Sequence, residues 1–149
     1  MDNRYLLSLD GGGVRELASV TFLAKLEKAL GKPLYEQFDF FMGTSAGAIT
    51  AMALSAARMS GEDLLEFWSE KNLEKMANAS LWDSRLGLMQ TNPKYDGEGK
   101  KEVFKKYFGN LKLGDARGGL AVMSYDIEQR KPLLLTSYNN ANISLIDAG

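Results

Sequence analysis

The chain has 149 residues, 45% of them apolar and 25% charged, the balance of one globular domain with a modest core. Its 18 basic and 19 acidic side chains leave a net charge of −1, which gives no footing for nucleic acid. Cysteine and histidine are both absent. That excludes disulfides, thiolate and imidazole metal sites, cysteine nucleophiles and every mechanism in which a histidine of this chain is the base. Met1 to Arg4 shows no signal-peptide pattern and no apolar run reaches the roughly 18 residues of a membrane span, so a cytoplasmic location is expected.

Tyr5 to Leu9 is a β-rich apolar run, broken sharply by Asp10-Gly11-Gly12-Gly13. From Glu16 to Leu30, the residues Leu17, Val20, Leu23, Leu26 and Leu30 recur at helical spacing, and Gly31 and Pro33 close the helix in the expected order. Phe38 to Met42 predicts a second strand, Gly43 to Gly47 a tight turn and Ala48 to Ala57 an alanine-rich helix. Strand, helix, strand, helix predicts a βαβα layout with a parallel sheet. Gly61 to Met76 predicts one further helix carrying Leu64, Leu65, Phe67, Trp68 and Leu73. Ala77 to Gly99 reads as irregular, with turn signals at Asn92-Pro93 and Asp96-Gly97. A short amphipathic helix from Lys100 to Phe108 follows. Leu120 to Ile127 and Pro132 to Tyr138 predict two strands joined by the polar turn Glu128-Gln129-Arg130-Lys131. Asn139 to Gly149 shows no helix cap and no closing strand, and two βα units with one hairpin are thin for a three-layer domain. The expectation is the N-terminal portion of something longer.

Gly43-Thr44-Ser45-Ala46-Gly47 matches G-x-S-x-G in the context a nucleophile elbow needs, after an apolar strand and at the start of a helix. The glycines two positions either side of Ser45 spare the strained turn a collision with its neighbours, and the helix that follows points its first N–H groups at any oxyanion formed there. A bland reading makes Ser45 an ordinary helix N-cap. The elbow reading gains from a second motif, Asp10-Gly11-Gly12-Gly13-Val14-Arg15, also between strand and helix. Three consecutive glycines let backbone N–H groups converge on an anion. Two uses fit: an oxyanion hole for acyl transfer, or a phosphate cradle. Arg15 has two roles open, holding a phosphate or capping the loop carbonyls. Without histidine, the base for Ser45 falls to a lysine or to a partly desolvated carboxylate, and a Ser-Asp dyad suits such a chain.

Taken together these two motifs, thirty residues apart, resemble the patatin-like phospholipases. The resemblance continues through Pro93-Lys94-Tyr95-Asp96-Gly97, Tyr125-Asp126-Ile127 and Lys131-Pro132-Leu133. It implies a three-layer α/β/α sandwich with a mostly parallel sheet and a lipid acyl hydrolase activity on a membrane lipid or lipid aggregate. It further implies Ser45 as nucleophile, the N–H groups of Gly11, Gly12 and Gly13 as oxyanion hole, and Asp10, Arg15, Gly43 and Gly47 as supporting positions. No metal or organic cofactor is implied. One departure stands out: the family's catalytic aspartate sits in an Asp-Gly-Gly or Asp-Gly-Ala turn downstream of a Ser/Ala/Pro-rich segment, and no such segment is present here. Asp147-Ala148-Gly149 is only a superficial match, so Asp147 is a weak candidate base. The expected outcome is a chain that ends before its catalytic aspartate and is close to inactive by itself.

Leu81, Trp82, Leu86, Leu88 and Met89 read as core packing rather than a lipid-facing lid. Lys100, Lys101, Lys105 and Lys106 read as a solvated helix face rather than a headgroup contact. Asp126 reads as a strand-end turn residue, and Phe67 and Trp68 as core. Two rival functions remain: a nucleotide-binding module with Gly11 to Gly13 as phosphate loop, which leaves the elbow unexplained, and a non-catalytic lipid-binding fragment.

Overall fold

The computed structural model describes residues 3–77 and 98–149. Among them run β1 (Leu6–Leu9), α1 (Glu16–Leu30), β2 (Phe40–Thr44), α2 (Ala46–Ser55), α3 (Gly61–Phe67) and α4 (Glu70–Ala77). These are followed by α5 (Glu98–Phe108), β3 (Gly119–Asp126), β4 (Lys131–Thr136) and α6 (Leu145–Ala148). The four strands form one sheet in the order β1-β2-β3-β4. β1 and β3 both pair parallel to β2, and β4 closes the edge antiparallel to β3. This is the mostly parallel α/β arrangement that the alternation of apolar runs and glycine breaks dictates.

Register decides what each face of the sheet does. Leu9, Phe41, Leu120, Val122 and Leu135 are buried on one face, against which α2 packs across β1, β2 and β3. Side chains of the other parity, Leu6, Met123, Tyr125 and Leu134, are exposed. α2 itself is buried almost all round, as its alanine-rich sequence requires for close helix-to-sheet approach. Below it, Phe67 centres an aromatic cluster, with rings 5.0 Å from Tyr107, 5.5 Å from Trp68 and 5.7 Å from Phe108.

α1 spans the expected residues, and Gly31 ends it in the left-handed conformation with φ 64°. Glu27, near its end, binds two other segments: Oε1 accepts the Gly61 N–H at 2.8 Å and Oε2 the Leu34 N–H at 3.0 Å. The second strand starts at Phe40 rather than Phe38, because Asp39 is occupied outside the ladder. Its carboxylate accepts the Tyr5 N–H at 2.9 Å and an Arg4 N–H at 3.0 Å, which together hold that carboxyl below the usual aspartate range.

The single helix expected from Gly61 to Met76 is two. Ser60 opens α3 with a reciprocal capping box to Asp63. The helix then stops at Phe67, where the Asn72 amide donates to the carbonyls of Glu66 at 3.0 Å and Phe67 at 3.1 Å and so replaces their helical partners. The C-terminal stretch also departs from expectation. Ser144 pairs with Lys112 in an isolated bridge and caps α6 by accepting the Asp147 N–H at 3.1 Å. The irregular stretch with its Leu81 to Met89 apolar residues and the Pro93 to Gly97 motif lies outside the described residues.

Candidate active site

The sharp turn between β2 and α2 is built as the sequence demands. Ser45 has φ 53° and ψ −127°, a conformation that an L-residue adopts only under constraint, and its side chain makes no capping bond. Its carbonyl accepts the Ala48 N–H at 3.0 Å, so the helix begins at once and its first N–H groups lie beside the serine. The helix therefore starts at Ala46, two residues earlier than the alanine run suggests. The constraint comes from the neighbours. A Cβ on Gly43 would strike the backbone of Gly47, and one on Gly47 would strike the backbone of Leu9 and Asp10 at the end of β1. Ser45 remains exposed.

The glycine loop reaches the same point from β1. A Cβ on Gly11 would lie 2.7 Å from the Ser45 Cβ and 2.8 Å from the Thr44 carbonyl oxygen, so the loop's backbone rests directly against the serine. Gly12 and Gly13 carry the chain into a 3₁₀ turn, with Gly13 at φ 58°. Of the two roles left open for Arg15, its geometry matches the capping one: its N–H and its Nε both donate to the Gly12 carbonyl, at 3.2 and 3.5 Å.

Ser45 opens into a cleft of about 240 Å³ walled by Gly13, Val14, Ala46, Ile49, Trp68, Leu73, Met76 and Lys100. Among the described residues its lining is apolar apart from the serine and one cation. Trp68 is thus both buried and part of the cleft wall, which the reading of it as core alone missed. Its Nε1 donates to Thr50 Oγ1 at 3.1 Å, one turn along α2 from the serine. Glu16, the residue that starts α1 just after the glycine loop, is 1% exposed, and its Oε1 has no hydrogen-bond partner. Burial pushes its carboxyl above the usual glutamate range, opposed by a hydrogen bond with Thr50. The α2 helix and the cleft wall are thus joined through Thr50 and Trp68, with the buried Glu16 carboxyl beside them.

The four lysines of α5 do not act as one face. Lys101, Lys105 and Lys106 are exposed, and Lys106 is engaged with Tyr107 and Glu66. Lys100 is half-buried at the cleft. It lies three and four residues before Val103 and Phe104, the buried side of the helix, and that spacing was the signal that could have singled it out. Asp147 is exposed, and its carboxylate accepts the Ser144 hydroxyl at 2.6 Å within the cap of α6.

Comparison with known proteins agrees with this geometry. The family model for patatin-like phospholipases matches residues 7–148. Patatin-like protein 4 of Arabidopsis thaliana is 30% identical over 147 residues, covering 90% of this chain and 37% of that protein. A cGAMP-activated phospholipase of Pseudomonas aeruginosa is 37% identical over 113 residues, covering 76% and 33%. The fold is that of VipD from Legionella pneumophila (TM-score 0.60, 12% identity, 99% of this chain and 41% of that one). The type III effector ExoU is also similar (TM-score 0.51, 15% identity, 98% and 38%). This chain thus spans between 33% and 41% of the length of these relatives. With the elbow, the glycine loop and the sheet order all in place, the chain belongs to the patatin-like phospholipase family.

Proposed function

We propose that this chain carries the nucleophile half of a lipid acyl hydrolase site. The observation that carries the reading is the strained Ser45 held against Gly11 at the mouth of an apolar cleft. Ser45 Oγ attacks the ester carbonyl of a membrane lipid while its proton passes to an aspartate. The N–H groups of Gly11, Gly12 and Gly13, with those at the start of α2, receive the developing oxyanion. The tetrahedral intermediate collapses with loss of the protonated alcohol, leaving an acyl-serine, and water then releases the fatty acid. Asp147 sits in the α6 cap with its carboxylate accepting the Ser144 hydroxyl, which makes it a poor candidate for that aspartate. The chemistry draws on no metal or cofactor, and no helix among the described residues is long and apolar enough to cross a membrane. The apolar cleft lining weighs against the nucleotide-binding alternative, whose ligand would need polar walls.

Intact mass after exposure to a fluorophosphonate tests the reading. A single adduct on the wild-type chain that is absent from Ser45→Ala supports it. No adduct on a cooperatively folded chain, and none on a longer one that includes the downstream aspartate, would overturn it.

A further inference from the structure

Glu16 is a buried ionisable group with no task in the reaction of Ser45. It is the first residue of α1, directly after Arg15 of the glycine-loop motif, and its Oε1 has no hydrogen-bond partner. No cation compensates it among the described residues. Arg15 is exposed and bonded to the Gly12 carbonyl, Lys25 and Lys28 of α1 are exposed, and Asp10 at the end of β1 is exposed. On α3, Glu62 pairs with Lys28, Asp63 caps the helix through Ser60 and Glu66 pairs with Lys106, all three being exposed. Lys100, across the cleft, is bound to the Gly149 oxygen. From α2 the partner is the uncharged hydroxyl of Thr50. An ionised Glu16 would hold a charge out of water with one oxygen unmet, whereas the neutral acid leaves only an unmet neutral oxygen, at far smaller cost. Burial accordingly raises its carboxyl above the ordinary glutamate range, against the opposing hydrogen bond of Thr50.

The Thr50 hydroxyl has one proton and two lone pairs to distribute. It accepts the Trp68 Nε1–H at 3.1 Å and donates to the Ala46 carbonyl at 3.3 Å. Ala46 is the residue next to Ser45, and both Ala46 and Trp68 line the serine's cleft. The lone pair left over can take the O–H of a protonated Glu16. An ionised Glu16 has no proton to give and draws the Thr50 proton to itself, away from Ala46. We propose that Glu16 is a positioning residue for Ser45, its neutral carboxyl donating to Thr50 so that the hydroxyl stays on Ala46 and the Trp68 indole stays in the cleft wall. The proposal rests on the hydrolase reading of Ser45 and adds to it a residue that touches neither substrate nor the reacting atoms. Glu16 is protonated below the ordinary glutamate range in folded and unfolded chain alike, and it ionises in the folded chain only as pH rises through the raised value. Serine reactivity therefore carries a declining component on the alkaline side of that value.

The test is the pH profile of fluorophosphonate labelling at Ser45, taken where circular dichroism shows every chain fully folded, so that differences in stability do not enter. Glu16→Gln keeps an N–H donor for Thr50 but cannot ionise. Dividing its labelling rate by that of the wild type cancels the titration of the base that serves Ser45. This ratio should rise about fivefold between about pH 4 and about pH 8, the equivalent of one buried hydrogen bond. It should stay flat when both chains also carry Thr50→Val, and the same ratio for Glu128→Gln, an exposed glutamate of the β3–β4 turn, should be flat throughout. A flat Glu16→Gln ratio with the adduct intact overturns the positioning role and leaves the hydrolase standing. A rise that persists with Thr50→Val also overturns it, since Glu16 would then act by another route. A second readout does not need the label. With Trp82→Phe as background, Trp68 is the sole tryptophan, and its emission should show a step above the ordinary glutamate range that is missing in Glu16→Gln. Absence of that step overturns the proposal whatever the label does. No adduct on any chain, the longer one included, sinks the hydrolase reading and the positioning role with it.

Discussion

Gly11 and Ser45 lie so close that a single methyl group on the glycine would sit 2.7 Å from the Ser45 Cβ. Two segments that are distant in sequence are thereby held in one backbone-to-side-chain contact, which makes the spacing between loop and serine a property of the sheet rather than of either motif. Gly11→Ala must push loop and elbow apart by several tenths of an ångström. A misplacement of about 1 Å at a reacting group costs about 10²-fold in rate, so a shift of this size should cost roughly 10-fold. The expected outcome is a large loss of fluorophosphonate labelling rate at Ser45 with a much smaller change in far-UV circular dichroism.

Ser45 itself stores strain. At φ 53° and ψ −127° it occupies a region that costs a side-chain-bearing residue about 1–3 kcal/mol. Ser45→Gly should therefore stabilise the folded chain by about 1 kcal/mol after the extra unfolded-state entropy of glycine is subtracted. Ser45→Ala keeps the Cβ and should change stability little. Urea unfolding of the three proteins decides it, and equal midpoints for Gly and Ala would show that the turn is unstrained.

Glu16 makes stability depend on pH in a definite direction. Its carboxyl is raised above the ordinary value of 4.5 in the folded state, so the fold binds the proton more tightly than the unfolded chain does. The stabilising contribution of the protonated form is complete below pH 4.5 and is lost as pH rises through the raised value. Glu16→Gln removes this loss. The variant should match the wild type near pH 4 and exceed it increasingly toward pH 8, as measured by urea midpoints at each pH.

The bond from Trp68 Nε1 to Thr50 Oγ1 is buried. Thr50→Val leaves the indole N–H without its partner and should cost about 1–3 kcal/mol. Trp68→Phe removes the donor and should cost less from the hydrogen bond alone, about 1 kcal/mol. A double-mutant cycle by urea unfolding should show coupling of at least about 0.5 kcal/mol between the two positions. Additive effects would mean that the contact contributes nothing.

Glu27→Ala removes acceptors from both the Gly61 and the Leu34 N–H groups, one of them at the start of α3. A loss of about 2–3 kcal/mol is expected. Glu27→Gln, which keeps one carbonyl oxygen, should lose about half of that. Thermal melts of both variants provide the check, and equal melting temperatures would remove Glu27 from the account of how α1 holds α3.

Much of the scaffold was legible in local pattern. α1 follows from its apolar spacing and its Gly31 stop, and the elbow and glycine loop follow from motifs whose glycines are explained one by one by contacts in the structure. The break between α3 and α4 was not legible, because it depends on the Asn72 amide reaching back to Glu66 and Phe67, a contact that a propensity argument does not register. The division of labour among the α5 lysines was hidden for a similar reason. Which side of a helix is inside depends on what packs against it.

By itself the sequence determined the strand-helix-strand-helix alternation around the two motifs, the G-x-S-x-G turn and the absence of histidine from this chain, since these depend on residue type and on neighbours a few positions away. Tertiary structure alone decided that Gly11 touches Ser45 and that Trp68 and Lys100 share the serine's cleft. Those relationships join residues 23 to 55 positions apart in sequence (68 − 45 and 100 − 45 for the cleft pair), and only sheet register and helix packing set such distances.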